Sequence, residues 1–411
     1  MSNESITIDR ARGIILEAAS CIGRRQSVSL QDAPGRVCCE PLRAACPLPN
    51  YTNSAMDGYA LRSAELGTGP VTLRIAGHSY AGAPSSKTEF GAHECVEIAT
   101  GAAVPEAFDT VIPYEKCAVD EAAGTVAFDS AAVRAGDNIR RIGEQIAEGE
   151  EIIPAGTLLT PRHIALAAAA GISEVPVYER VKAAVIATGS ELVDPGKPLG
   201  PFQIYNSNAV MLKGVLEKAG CEVTVCSALD EVQTIAQRLA ELSETNDIVL
   251  LSGGAGNGRY DISQAQLAEL GRMQSWSINM RPGRPMRFGA IKDRPVFVLP
   301  GNPVAAFVTC VEFALPAIAK MRGIKEPQTQ AAGSGILACD IRKKPGRAEF
   351  MRARIVGTRE GLPLVEPVQS QSSADLLMLA QADVILCLDH EPDRYAAGSS
   401  VRIQSLAEIG L

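Results

Sequence analysis

The chain has 411 residues, enough for several domains with a substantial core, and its 46% hydrophobic and 21% charged residues are ordinary for a globular protein. A formal charge of -8 and a pI near 5.3 exclude wholesale binding of nucleic acid or an anionic membrane, because such surfaces need a cationic excess. An anionic small ligand stays open, since basic groups can gather locally within an acidic whole.

No apolar run reaches the roughly 20 residues that cross a bilayer. The opening MSNESITIDR lacks the basic-then-apolar pattern of an export signal. A cytoplasmic location is therefore expected. Eleven cysteines carry no C-x-x-C spacing, and four histidines are scattered, so no zinc-type ligand set forms and the thiols are expected to be free.

In chain order, residues 5–27 read as a helix, with Ile6, Ala11, Ile14, Ile15, Ala18 and Ala19 at helical spacing. PLPNYTNSAMDGYA (47–60) is a proline-bounded loop. From there to about 140, short strands such as VTLRIAG and CVEIATG are broken by glycine and suggest a small β-rich domain. Residues 151–179 give a strand, a helix entered at Thr160-Pro161, and a stop at Gly171.

Residues 181–322 alternate strands with helices, which predicts a mostly parallel sheet covered on both faces. VKAAVIA, CEVTVCSAL, DIVLLS, SWSINM and RPVFVLP are the strands. NAVMLKGVLEKAG, EVQTIAQRLAELSE and ISQAQLAELG are helices, and Asn302-Pro303 opens a last long one. Beyond 327 helix signals vanish and an all-β C-terminal domain is expected.

In such a sheet, ligands bind beyond the carboxyl ends of the strands. The loops there are TGSEL (188–192), SGGAGNGRYD (252–261), RPGRP (281–285) and PGNP (300–303). Together they offer Glu191 and Asp261 with Arg281 and Arg284. Glycine-rich backbone, helix N-termini and arginines favour phosphate, and carboxylates beside them favour magnesium carried with it. The loop is no P-loop or dinucleotide fingerprint, because neither glycine pattern is present. In the β-rich segment, NSAMDGYA puts Asp57 in an Asp-Gly turn, which on spacing alone is a structural device. Thr100 and Gly101 follow a strand, and RRIGEQI (140–146) adds Arg140, Arg141, Glu144 and Gln145.

PNYTNSAMDGYA, IATGAAVPEAFDTVI, TGSEL, NSN, SGGAGNGRYD, RPGRPMRFG, LPGNPVAA and RAEFMRARI occur in that order. This set resembles the molybdopterin molybdenumtransferases, bacterial proteins related to the C-terminal part of eukaryotic gephyrin, over nearly the whole chain. The resemblance implies a multi-domain α/β plus β fold. A linking domain (1–48 and 141–178) would carry an inserted β-rich domain (49–140). An α/β molybdopterin-binding domain (179–326), three-layered and similar to molybdopterin adenylyltransferases, and a C-terminal β-barrel (327–411) would follow.

It further implies a homodimer that takes adenylylated molybdopterin and molybdate, requires Mg2+, releases AMP and leaves molybdenum on the dithiolene. A molybdopterin adenylyltransferase and recipient molybdoenzymes are the implied partners. Carried over by motif, Asp57, Thr100, Glu191 and Asp261 are the catalytic candidates, and Asp57, Glu191 and Asp261 the metal candidates. Ser252, Gly253, Gly254, Gly256 and Gly258 would cradle the pterin phosphate, with Arg281, Arg284 and Arg140 as cations and Pro300, Gly301 and Asn302 bordering the pocket.

Four features depart from the family pattern: Gln145 in place of an aspartate, Arg281 and Arg284 in place of lysines, GGAGNG without its serine, and PEAFD. Arginine keeps the charge but prefers fixed, bidentate oxyanion contacts. A different reading of the same residues is a paralogue that carries the finished cofactor to a partner without chemistry.

Overall fold

The computed structural model describes residues 4–228, 232–255, 269, 271–325 and 332–407. At its centre is a seven-stranded sheet, ordered Glu4–Ile6, Arg272–Ile278, Pro285–Ile291, Arg294–Leu299, Ile248–Ser252, Lys182–Thr188 and Glu222–Ala228. Side chains alternate across it. Ala183, Val185, Ile248, Leu250, Phe297 and Leu299 face one core, and Ala184, Ile186, Val249, Leu251, Val296 and Val298 the other. With both faces buried, each strand reads as a continuous apolar run. Helices Ile8–Ala18, Ser207–Lys218 and Pro303–Thr309 cover the first face, and Val232–Thr245 the second.

Three features differ from the sequence reading. The N-terminal helix spans only Ile8–Ala18. Before it, Glu4–Ile6 pairs in parallel with Trp276–Ile278 at the sheet edge, and after it Arg25–Ser29 pairs with Glu174–Tyr178. Helical spacing of the apolar residues hid both ends, since three to five residues are too few to declare a period. The sheet is also not wholly parallel: Pro285–Ile291 runs antiparallel to both neighbours. The RPGRP loop therefore joins two strands instead of leading into a helix. It still lies at the carboxyl end of its neighbours. The stretch ISQAQLAELG, except for Glu269 and Gly271, lies outside the described residues.

Residues 303–321 form one nearly continuous helix, 19 residues with a mean hydropathy of 1.7, long and apolar enough to cross a membrane, but 83% of that stretch is buried in the protein. Its middle, Cys310–Ala314, is a π turn. Proline at 316 has no N–H to donate to the Glu312 carbonyl, the usual partner four residues back. Arg12 Nε reaches that carbonyl instead at 3.5 Å.

Three smaller units surround this sheet. A six-stranded sheet (order Thr110–Pro113, Gly58–Leu61, Glu94–Ile98, Pro70–Ser79, Thr125–Asp129, Ala118–Asp120) makes the β-rich unit. Strands Arg25–Ser29, Leu42–Arg43, Glu151–Ile153 and Glu174–Tyr178 with helix Pro161–Ala169 enclose the core of the linking unit. At the C-terminal end, Ala348–Arg359, Leu362–Pro367, Ala332–Leu337, Ser400–Ser405 and Val384–Leu388 close into a barrel, because the last pairs back onto the first. Met280–Arg281 adds to that barrel in parallel with Ala348–Glu349, which fixes the start of the RPGRP loop against it.

Candidate functional site

The loops at the carboxyl end of the central sheet border two adjoining cavities. The larger, about 540 Å3, is lined by Thr188, Glu191, Asn208, Ser252, Gly301 and Asn302 among others. The second, about 450 Å3, is lined by Arg281, Arg284, Pro300, Asn302, Arg347 and Ser373 among others. Asn302 faces both.

In the larger cavity, Asn208 is the organising residue. Its Nδ2 donates to Ser252 Oγ at 2.9 Å and to the Gly301 carbonyl at 2.7 Å. Its Oδ1 is buried with no hydrogen-bond partner. A buried acceptor left unmade costs about 1–3 kcal/mol, so this oxygen invites a donor from a ligand or a bound water. Sequence reading quoted Asn208 only inside the NSN motif and gave it no role. Glu191 is exposed and, among the described residues, is the sole carboxylate lining this cavity.

At its start, the glycine loop uses Gly253 differently from the expectation. Gly253 donates its N–H to the Leu299 carbonyl at 3.1 Å, so that group is spent inside the sheet and cannot hold an anion. Its φ of +106° and the 2.7 Å that would separate a Cβ from Thr188 Oγ1 explain the glycine instead. The Gly254 carbonyl accepts from Arg287 Nη1 at 3.1 Å. Ser252 stays at the cavity wall. Gly256, Gly258 and Asp261 lie outside the described residues.

The second cavity is cationic. Arg284 is anchored by Nε to Ser277 Oγ at 2.7 Å, and Arg281 lies 3.7 Å from Glu349. The barrel contributes Arg347, Gln371, Ser372 and Ser373. Ser373 latches the two units together: its carbonyl accepts from Val304 N at 3.0 Å and its hydroxyl from Asn302 Nδ2 at 3.0 Å. Sequence reading missed these barrel residues, because nothing local says that a loop some 70 positions downstream returns to a helix start. Buried Arg352, 1% exposed, holds that loop through the Ser372 carbonyl at 2.9 Å and Gln371 Oε1.

Asp57, Thr100 and Arg140 line neither cavity. They sit together on the β-rich unit, where Arg140 pairs with Asn53. Asp57 Oδ1 accepts from Thr100 N at 2.7 Å and from Thr100 Oγ1 at 3.0 Å. Those two bonds, the backbone one first, hold its carboxyl below the usual range. Asp57 is thus both a turn latch and an exposed carboxylate. Glu144 closes its own turn on Arg141 N at 2.7 Å. Exposed Tyr51, Met56, Tyr114 and Ile142 lie in the same unit. Exposed Ile204 and Tyr205 line the larger cavity, and Leu199, Phe202 (99% exposed) and Val210 are exposed in the same stretch of chain. Among the described residues no group of three His, Cys, Asp or Glu side chains is placed to hold a metal.

Residues 6–171 match the MoeA N-terminal region (domain I and II). Residues 184–320 match a "probable molybdopterin binding domain", and 334–406 the MoeA C-terminal region (domain IV). A molybdopterin molybdenumtransferase of Haemophilus influenzae is 35% identical over 400 residues, covering 97% of this chain and 98% of that protein. A molybdopterin molybdenumtransferase 2 of Mycobacterium tuberculosis is 33% identical over 393 residues, covering 92% and 95%. The solved molybdopterin biosynthesis moeA protein of Pyrococcus horikoshii OT3 superposes with a TM-score of 0.83 at 26% identity, covering 98% of this chain and 100% of that one.

Proposed function

The chain belongs to the molybdopterin molybdenumtransferase family, and on that premise we propose that it takes adenylylated molybdopterin and molybdate and releases AMP. The observation that carries this reading is the pair of cavities meeting at Asn302. Among the described residues, one has hydrogen-bonding walls and the carboxylate of Glu191; the other is lined by Arg281, Arg284 and Arg347. Two differently charged compartments suit a nucleotide-bearing pterin and a small oxyanion held side by side.

In this reading the larger cavity binds the pyrophosphate-bearing part of the substrate. Asn208 Oδ1 accepts from a hydroxyl or amino group next to the pyrophosphate, whose own oxygens only accept, and Ser252 and the Gly301 backbone orient that part of the substrate. Water adds to phosphorus, the bridging P–O bond breaks, and AMP leaves with the pterin phosphate as the other product. Magnesium, when bound, neutralises the pyrophosphate charge. It usually keeps several waters and takes only one or two protein carboxylates beside substrate phosphates, so Glu191 alone among the described wall residues is a fitting ligand. Arg281, Arg284 and Arg347 hold molybdate; fixed guanidinium forks suit a tetrahedral oxyanion better than mobile ammonium groups.

Asp57 and Thr100 complete the site from a second copy of the chain. This accounts for two groups of candidate residues that do not share a cavity, each beside exposed aromatic and aliphatic side chains. Asp57, kept ionised by Thr100, would orient the attacking water.

The test is AMP release from adenylylated molybdopterin with magnesium, with and without molybdate. Molybdate-dependent release is expected. Tight binding with no release under either condition overturns the transferase reading and leaves a cofactor carrier. Mixing Asp57→Ala and Arg284→Ala chains tests the shared site: mixed dimers recover one intact site, so activity reappears on mixing. Two inactive proteins that stay inactive when shown to exchange subunits would rule the shared site out.

A further inference from the structure

Away from this site, three arginines converge at the seam between the linking unit and the central α/β domain. Arg36 closes a tight turn on Ala33. Arg180 precedes strand Lys182–Thr188, and Arg322 caps the end of helix Leu315–Met321. All three line one small cavity, with Tyr178, Glu179 and Gly220. The space open to a water-sized particle there is about 10 Å3, room for about one such particle.

Two of these cations donate to peptide oxygens. Arg36, 7% exposed, donates from Nη2 to the Tyr178 carbonyl at 2.8 Å. Arg322 donates from Nη2 to the Gly35 carbonyl at 2.6 Å. The carboxylates nearby are committed elsewhere. Glu179 takes Arg24 Nε at 2.8 Å, Asp247 takes the Arg24 fork at 2.8 and 2.6 Å with Arg294 at 3.5 Å, and Asp32 accepts from Ser29 Oγ at 2.8 Å. The fold has also cleared space for the charge: Gly220 has φ +84°, and a Cβ on it would lie 2.8 Å from the Arg322 guanidinium carbon. Burial first, and then neighbouring arginine charge, pulls both Arg36 and Arg322 below the usual guanidinium range. Arg36 is buried, Arg322 half-buried and Arg180 exposed; a buried cation without its own counter-charge is costly, and the Arg36 and Arg322 guanidiniums have donors left over from their peptide contacts.

We propose that this cavity binds a single-atom monovalent anion, chloride in solution, shared by Arg36, Arg180 and Arg322, which ties the linking unit to the α/β domain. The notch between the three side chains is small, which favours a single-atom anion over phosphate, sulfate or molybdate. This site is independent of the reaction proposed above.

The experiment compares thermal unfolding of the full-length protein in sodium chloride and sodium gluconate at equal ionic strength. Chloride is expected to raise the midpoint saturably by about 2–3 °C, and Arg180→Ala to abolish that rise. Arg180→Glu places a carboxylate against the other two arginines, so its midpoint in gluconate should match or exceed the wild type in chloride and ignore added chloride. In crystals soaked in bromide, an anomalous peak bounded by the three guanidiniums is expected. Equal midpoints in the two salts, a rise that Arg180→Ala retains, or a cavity holding only water would each overturn the proposal.

Discussion

Replacing Gly253 with alanine separates a glycine required by the fold from one that merely borders the ligand. At φ +106° a side chain is strained, and the new Cβ would stand 2.7 Å from Thr188 Oγ1 and 3.1 Å from the Thr188 carbonyl oxygen. The hydroxyl can rotate away, but the carbonyl belongs to a central strand and cannot. Backbone strain of about 1–3 kcal/mol plus overpacking of similar size gives a total loss of about 3 kcal/mol. The loop would relieve part of it by moving Ser252, and with it the Asn208 contact. Affinity for adenylylated molybdopterin should fall about 10- to 100-fold, at about 1.4 kcal/mol per decade. Gly301→Ala is the control, since its Cβ would meet only Gly253 Cα at 3.8 Å, ordinary contact; its stability should change by no more than about 0.5 kcal/mol. Urea unfolding and calorimetric titration read both quantities. Adding Thr188→Ala to Gly253→Ala should recover part of the stability in a double-mutant cycle. Gly253→Ala with unchanged stability, or Gly301→Ala losing as much, would refute the reasoning.

Three other outcomes follow from the same geometry. Asp57→Ala should abolish AMP release while lowering the unfolding midpoint only by the loss of its two bonds to Thr100, and Thr100→Ala, by removing the side-chain bond that lowers the Asp57 pKa, should move the acid limb of the pH–rate profile upward; an unmoved limb would detach Asp57 from it. Arg347→Ala should raise the KM for molybdate about tenfold, the loss of one charged hydrogen bond, while pterin affinity measured without molybdate stays constant. Burial raises the Glu312 pKa, so the stability this group contributes is present below its unfolded value and lost as pH climbs through the folded one. Arg12→Met removes its 2.8 Å ion pair and should cost about 3 kcal/mol at neutral pH, with the deficit shrinking toward about pH 4, where the carboxyl is protonated; urea midpoints across that range test it, and a deficit independent of pH would be inconsistent with this account.

Much of the central domain was legible because its strands are buried on both faces, so Lys182–Thr188, Ile248–Ser252 and Arg294–Leu299 read as uninterrupted apolar runs. The ligand end followed from topology, as the loops after those strands share one edge. Pro285–Ile291 was not legible: a proline start and Gly289 inside it look like a turn, and only pairing with Arg272–Ile278 makes it a strand. Long-range returns were equally silent. Ser373 reaching Val304 N depends on Arg352 holding its loop, a matter of barrel closure. Gly253 was read as an anion cradle because glycine density is ambiguous between exposed N–H groups and tight packing. Its hydrogen bond to Leu299 decides for packing.

The edge strand Glu4–Ile6 has a consequence for synthesis of the chain. Its partner, Trp276–Ile278, leaves the ribosome roughly 270 residues later, which at about 5–20 residues per second is some tens of seconds. For that interval Glu4–Ile6 has nowhere native to go, while the linking and β-rich units complete themselves. The chain is thus closed by its own beginning. A bulky extension fused ahead of Glu4 would delay that closure and leave the Arg272–Ile278 edge open to strands of neighbouring nascent chains.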